Sequence, residues 1–212
     1  MKDNVKSISS KLFIRYPKLE NCKKDFVSVF DYINECYNVR GKLLVCGNGG
    51  SAADSHHIVG ELMKGFMLER ALPIDVKEAF RSHGAEKLGI ALQGALPAIS
   101  LASETALITA ISNDCESNTV FAQQVYGLMR KKDVLLCLST SGNSENVVNA
   151  AITAKVKGGK VVSIVGANGG KLAEISDAVI KVPSTVTAEI QEYTLPIYHT
   201  LCAMLEAEHF AD

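Results

Sequence analysis

Residues 47–62 read GNGGSAADSHHIVGEL, a stretch that offers two kinds of chemistry. The turn Gly47-Asn48-Gly49-Gly50-Ser51 follows an apolar run and precedes a helical pattern, where free backbone N–H groups and the helix dipole favour an anion. His57 and Glu61 are four residues apart, so a helix starting near Ser51 sets them side by side, with Asp54 a turn earlier. They lie at the edge of an apolar stripe formed by Ile58, Val59, Leu62, Met63 and Phe66. A half-buried imidazole and carboxylate suit metal binding or proton transfer. The same spacing also describes an ordinary surface pair. His56 points away beside Met63, as a structural or solvated residue. Ser51 and Asp54 in turn fit a helix start of the S-x-x-D kind.

A second turn, Ser139-Thr140-Ser141-Gly142-Asn143-Ser144, comes directly after VLLCL and before ENVVNAAITAKV. Its hydroxyls and backbone N–H groups converge at a helix N-terminus, which can hold a phosphate without a lysine or arginine. A polar turn with a helix cap explains part of this pattern, but four hydroxyls in six residues exceed what capping needs. The first turn also matches a dinucleotide fingerprint, Gly47-x-Gly49-x-x-Ala52. That fold requires a second strand soon afterwards, ending in a ribose-binding acid. GELMKGFMLERALPIDVKEAF supplies none, so nucleotide binding ranks second for this turn.

The elements that must position these turns follow a regular order. KLLVC, LPAISLA, DVLLCLS, KVVSIVG and AVIKV are short apolar runs, each followed by a turn and a helical stretch. Continuous apolar strands alternating with helices predict a parallel sheet covered on both faces. The fold class is therefore α/β, a three-layer α/β/α domain with a five-stranded parallel sheet over residues 41–212. Residues 1–40 are a helical segment in which Ile8, Leu12, Phe13, Phe26, Phe30, Ile33 and Tyr37 fall at helical spacing around Pro17. Such an amphipathic pair must cover the domain's own sheet or a second subunit. An insertion at about 70–95 fits two short helices joined at Gly84. The last helix carries Gln191 and His199, with a stripe through Ile190, Leu195, Ile197, Leu201 and Leu205. These two polar residues lie about 12 Å apart along its axis. They can share one site only by stretching from opposite sides, by a bend at Pro196, or by serving sites shared between subunits. Spacing alone singles out neither.

Composition sets outer bounds. Net charge is −1 with no Lys/Arg tract, which argues against a nucleic-acid partner. No apolar run reaches the roughly 18 residues of a membrane span, and MKDNVKSISSKLF lacks the features of a secretion signal. The six cysteines are scattered with no C-x-x-C pair, as expected for buried thiols in a reducing cytoplasm.

CGNGGSAADSHHIVGEL, ISND, LSTSGNSENV, ANGGKLAE and IQEYTLPIYH follow in order the pattern of sugar isomerase (SIS) domain proteins. Within them the chain resembles the phosphoheptose (sedoheptulose 7-phosphate) isomerases over about residues 40–205. The resemblance implies a flavodoxin-like domain in a cytoplasmic homotetramer with active sites at subunit interfaces. It implies substrate contacts at Asn48, Gly49, Gly50, Ser51, Asn113, Asp114, Ser139, Thr140, Ser141, Ser144 and Gln191. It further implies one zinc ion per subunit on His57, Glu61, Gln191 and His199, and an acid/base pair of Glu61 and His199. The implied reaction is aldose–ketose isomerisation through a cis-enediol. Some similar proteins instead bind a replication initiator or sense sugar phosphates, and these typically lack the helical Glu and the C-terminal His; both are present here. An isomerase of another sugar phosphate is a further alternative. Two departures bear on which sugar is accepted. The 70–95 insertion is longer than in compact members, and Ala188 and Glu189 stand where many members carry an acid and a base.

Overall fold

The computed structural model describes residues 1–211. Along the chain run α1 (Asp3–Arg15), a 3-10 turn (Pro17–Cys22), α2 (Lys23–Asn38), β1 (Leu43–Cys46), α3 (Gly50–Met63), α4 (Ile74–Ser82), α5 (Glu86–Ala91) and β2 (Ala98–Ser100). They continue with α6 (Thr105–Asp114), α7 (Val120–Leu128), β3 (Val134–Ser139), α8 (Glu145–Val156), β4 (Lys160–Gly166), α9 (Gly170–Ile175), β5 (Ala178–Val182) and α10 (Thr187–Phe210). All strand pairs are parallel, in the order β2-β1-β3-β4-β5. The five apolar runs read from the sequence are these five strands.

Their continuous hydrophobicity has a direct cause, because each face of the sheet carries its own core. On one face Leu43, Val45, Leu136, Leu138, Val162 and Ile180 pack beneath α1, α2, α3 and α10. On the other, Leu44, Cys46, Leu135, Cys137 and Val161 pack beneath α6, α7, α8 and α9. Val5, Leu12, Phe13, Phe26, Phe30 and Ile33 belong to the first core, so the N-terminal helices cover the domain's own sheet. The insertion forms α4 and α5, joined through Gly84 at φ +70°.

The strand order reverses beside β1: β2 lies on one side and β3 on the other. Ligands collect at such a switch, beyond the carboxyl ends of the strands. Cys46 and Cys137 are register partners there, so the turns that leave β1 and β3 stand next to one another.

Two assignments to the helical stripes are corrected. Met63 is 46% exposed and Leu195 is 41% exposed. Met63 is the last residue of α3, and Phe66 lies beyond the helix end. Leu195 lines a groove beside His199 instead of facing the sheet.

Candidate active site

The first turn delivers its backbone through glycine. Gly49, at φ +55°, immediately precedes α3, and no side chain caps the helix, so Ser51 and Asp54 are not a helix-start pair. A Cβ on Gly50 would lie 2.7 Å from Gln191 Nε2. Only the bare glycine lets the α10 amide rest against the first turn of α3. In the second turn, the Ser139 and Ser144 hydroxyls are 3.1 Å apart, and Ser141 Oγ accepts the Asn143 N–H at 3.1 Å. Gly142 has φ +65°, and a Cβ there would collide with the Gly169 carbonyl. Thr140, Ser141, Gly166, Asn168, Thr185 and Thr187 wall a cavity of about 230 Å³ at the ends of β3 and β4. The two turns are joined by a reciprocal amide pair, Asn48 Nδ2 to Asn146 Oδ1 at 2.8 Å and Asn146 Nδ2 to Asn48 Oδ1 at 2.9 Å.

Helices α3 and α10 meet at His57. Its Nε2 is 3.0 Å from Glu61 Oε1 and 3.4 Å from His199 Nε2. Its Nδ1 is 3.0 Å from the Tyr198 hydroxyl, which also lies 3.2 Å from Asp54 Oδ1. Glu61 Oε2 accepts from Lys64 Nζ at 3.1 Å. Phe66 packs against His199 with ring centroids 5.6 Å apart. Burial, followed by the neighbouring His57, lowers the pKa of His199 against the opposing pull of Glu61. That favours a neutral imidazole, able to accept a proton or bind a cation. Burial raises the Asp54 carboxyl, against the Tyr198 hydrogen bond. His199 also borders a groove of about 480 Å³ between α1, α10 and the segment after α3.

Two imidazoles and a carboxylate are donors suited to zinc, while the Gln191 amide rests against Gly50. In a tetrahedral shell with bonds near 2.0–2.1 Å, ligand atoms stand roughly 3.4 Å apart, which the 3.4 Å between His57 Nε2 and His199 Nε2 matches. The Glu61–His57 contact is tighter, at 3.0 Å, because it is a hydrogen bond. Among the described residues no three His, Cys, Asp or Glu side chains form a ready-made cation cage. The donor chemistry therefore fits zinc, with Glu61 having to turn from His57 to the ion.

Asn113 and Asp114 end α6, exposed and bonded to each other at 2.8 Å. Among the described residues their side chains make no hydrogen bond to the other candidates. Glu189 is turned away, accepting the Ser184 hydroxyl at 2.7 Å. Sequence reasoning missed Asn146, Tyr198, Arg70 and Glu206. Asn146 stands two residues beyond a turn already singled out; the others carry no local signal.

The SIS domain profile matches residues 85–166. The chain is 34% identical to the phosphoheptose isomerase of Rhodospirillum rubrum over 206 residues, covering 97% of each. It is 42% identical to that of Nitratiruptor sp. over 165 residues, covering 78% of this chain and 76% of the relative. Among solved structures, the phosphoheptose isomerase of Francisella tularensis superposes with a TM-score of 0.74 at 30% identity, covering 93% of this chain and 92% of that one. That of Neisseria gonorrhoeae superposes with a TM-score of 0.71 at 31% identity, covering 96% and 92%.

Proposed function

The chain belongs to the phosphoheptose isomerase family of SIS-domain proteins, and from that premise we propose that it interconverts sedoheptulose 7-phosphate and D-glycero-D-manno-heptose 7-phosphate. The observation that carries the reading is the meeting of α3 and α10 at His57 Nε2, which brings Glu61 and His199 to the same imidazole.

The chemistry asks little more. A ketose phosphate becomes an aldose phosphate when a proton leaves C1 and is returned to C2, while a second proton passes from O1 to O2. One group must handle the carbon-bound proton and another the oxygen-bound proton, at a gain of about 10²–10⁴ in rate for well-placed groups. Glu61 and His199 are proposed as that pair. The hydroxyls of Ser139, Thr140, Ser141 and Ser144 grip the phosphate at the N-terminus of α8. Asn48, Gly49, Gly50, Ser51 and Gln191 lie along the sugar, and Asn113 and Asp114 are proposed to meet it from the far side. Zinc, held by His57, Glu61, Gln191 and His199, would act as a Lewis acid on the carbonyl.

A homotetramer in the cytoplasm completes the proposal. The exposed apolar side chains of Met67 (69%) and Leu195 (41%) beside the His199 groove support burial against a second copy. Among the described residues no helix is long and apolar enough to cross a membrane. A coupled assay with sedoheptulose 7-phosphate tests the reading. Turnover with formation of the aldose phosphate is expected; thermal stabilisation by sugar phosphate without turnover would make the protein a binding module instead.

A further inference from the structure

β1 and β3 end side by side, with Cys46 against Cys137, and the turns that leave them carry the residues proposed to hold the sugar and the phosphate. Within the ladder, backbone bonds keep neighbouring strands about 4.8 Å apart. Beyond Cys46 that ladder stops. Among the described residues, the only hydrogen bonds that cross from residues 47–51 to residues 139–146 are those of the Asn48–Asn146 pair, at 2.8 and 2.9 Å.

The pair is specific to two amides. Each side chain offers an N–H and a carbonyl oxygen, so one amide satisfies the other in both directions. A carboxylate at either position would set oxygen against oxygen. Each amide also keeps a second N–H and a further lone pair, so Asn48 remains able to meet a sugar hydroxyl while it is held. The two partners differ in anchorage. Asn146 is the second residue of α8, half-buried, and the next residue, Val147, lies in the core. Asn48 is exposed in a turn with Gly47, Gly49 and Gly50, which carry no side chains to fix it. The helix therefore holds the turn, and not the reverse.

We propose that Asn146 is a positioning residue: by holding Asn48 it fixes the gap between the two turns, and so governs the affinity for a molecule that must occupy both, a sugar phosphate, over one that occupies the α8 turn alone. The inference deepens the proposed function and rests on it for the placing of sugar and phosphate.

The test separates the clamp from the fold and from the phosphate turn. Asn146→Ala removes the amide without weakening α8, since alanine is the better helix former, and the melting temperature should stay close to native. KM for sedoheptulose 7-phosphate should rise about tenfold with the two hydrogen bonds gone. The inhibition constant of inorganic phosphate, which needs only the α8 turn, should stay as in the native protein. In an Asn48→Ala background the same change should have little further effect, because residues that act as one unit are not additive. An unchanged KM in Asn146→Ala overturns the proposal. So does phosphate binding that weakens in step with the sugar phosphate, or additive losses in the double variant. If the native protein binds sedoheptulose 7-phosphate without turning it over, the same comparison of dissociation constants still decides the clamp, and only the isomerase reading fails.

Discussion

Arg70 and Glu206 form an ion pair in which neither side chain is exposed to solvent, with Arg70 Nε 2.8 Å from Glu206 Oε1. The guanidinium also donates to the Leu62 and Glu61 carbonyls at 2.7 and 2.9 Å, which closes the C-terminal end of α3. Glu206 accepts the backbone N–H groups of Phe66, Met67 and Leu68 at 2.8, 2.7 and 3.1 Å. The pair thus fixes the helix of His57 and Glu61, and the segment after it, to the helix of Gln191 and His199. The register between Glu61 and His199 is set here.

Removing one partner strands the other in the core. Glu206→Ala or Arg70→Ala should cost on the order of 3–5 kcal/mol, read from urea unfolding. Replacing both by apolar residues of similar size is often neutral for a buried pair. It should not be here, because three backbone N–H groups lose their only carboxylate. A double Arg70→Met, Glu206→Leu variant as stable as the native protein would contradict this account.

The acid/base assignment makes a sharper demand. Glu61→Gln and His199→Ala should each lower kcat by about 10²-fold or more while circular dichroism and the melting temperature stay close to native. Glu61 is near the end of α3 and His199 is only half-buried, so neither carries the fold. Near-native turnover in either variant would remove that residue from the chemistry.

The sheet was legible because its cause is local. A strand buried on both faces must be apolar throughout, and the five runs between turns are visible without knowing their partners. The two turns that leave β1 and β3 were legible for the same reason, and His57 and Glu61 because residues four apart share a helix face. His199 is different. Its contact with His57 spans 142 residues, so periodicity within α10 says nothing of it, and only the family resemblance pointed there. Arg70 and Glu206 were missed because a charged residue in a charged stretch reads as surface; their burial depends wholly on finding each other across the fold. Met63 and Leu195 were misplaced for the converse reason. They keep the helical period, yet the helix end in one case and the groove in the other leaves the position uncovered.

Phosphate recognition can be separated from chemistry. Ser141→Ala with Ser144→Ala removes two hydroxyls from the α8 N-terminus. Each hydrogen bond to a charged group contributes about 1.5–3 kcal/mol, so KM for the phosphorylated substrate should rise at least tenfold with a smaller change in kcat. The bonds from Asn143 Nδ2 to the Ser141 carbonyl at 3.1 Å and from the Lys171 N–H to Asn143 Oδ1 at 3.0 Å survive both changes and should hold the turn in place. An unchanged KM would move the phosphate out of this turn.

Acid stability should be set in part by two histidines held neutral. Burial lowers the pKa of His209, whose Nε2 lies 2.9 Å from Asn34 Oδ1 and whose ring packs edge-on against Tyr37. Burial lowers His199 as well. In both cases the unfolded chain, with an ordinary value near 6.5, takes up a proton before the folded chain does. Stability is therefore full above about pH 6.5 and falls as the pH drops from there through the lowered folded values. Asp177, held below the ordinary carboxylate range against its own burial by the Val161 N–H and by Lys155 and Lys160, acts only at much lower pH. Asp31 and Asp54, raised by burial, oppose the histidines as the pH falls towards the carboxylate range. His209→Gln isolates one contribution, since the amide can still donate to Asn34 but cannot titrate. Between pH 7.5 and 5.5, its melting temperature should fall by less than that of the native protein. Equal slopes would show that His209 takes up its proton as readily in the folded chain as in the unfolded one.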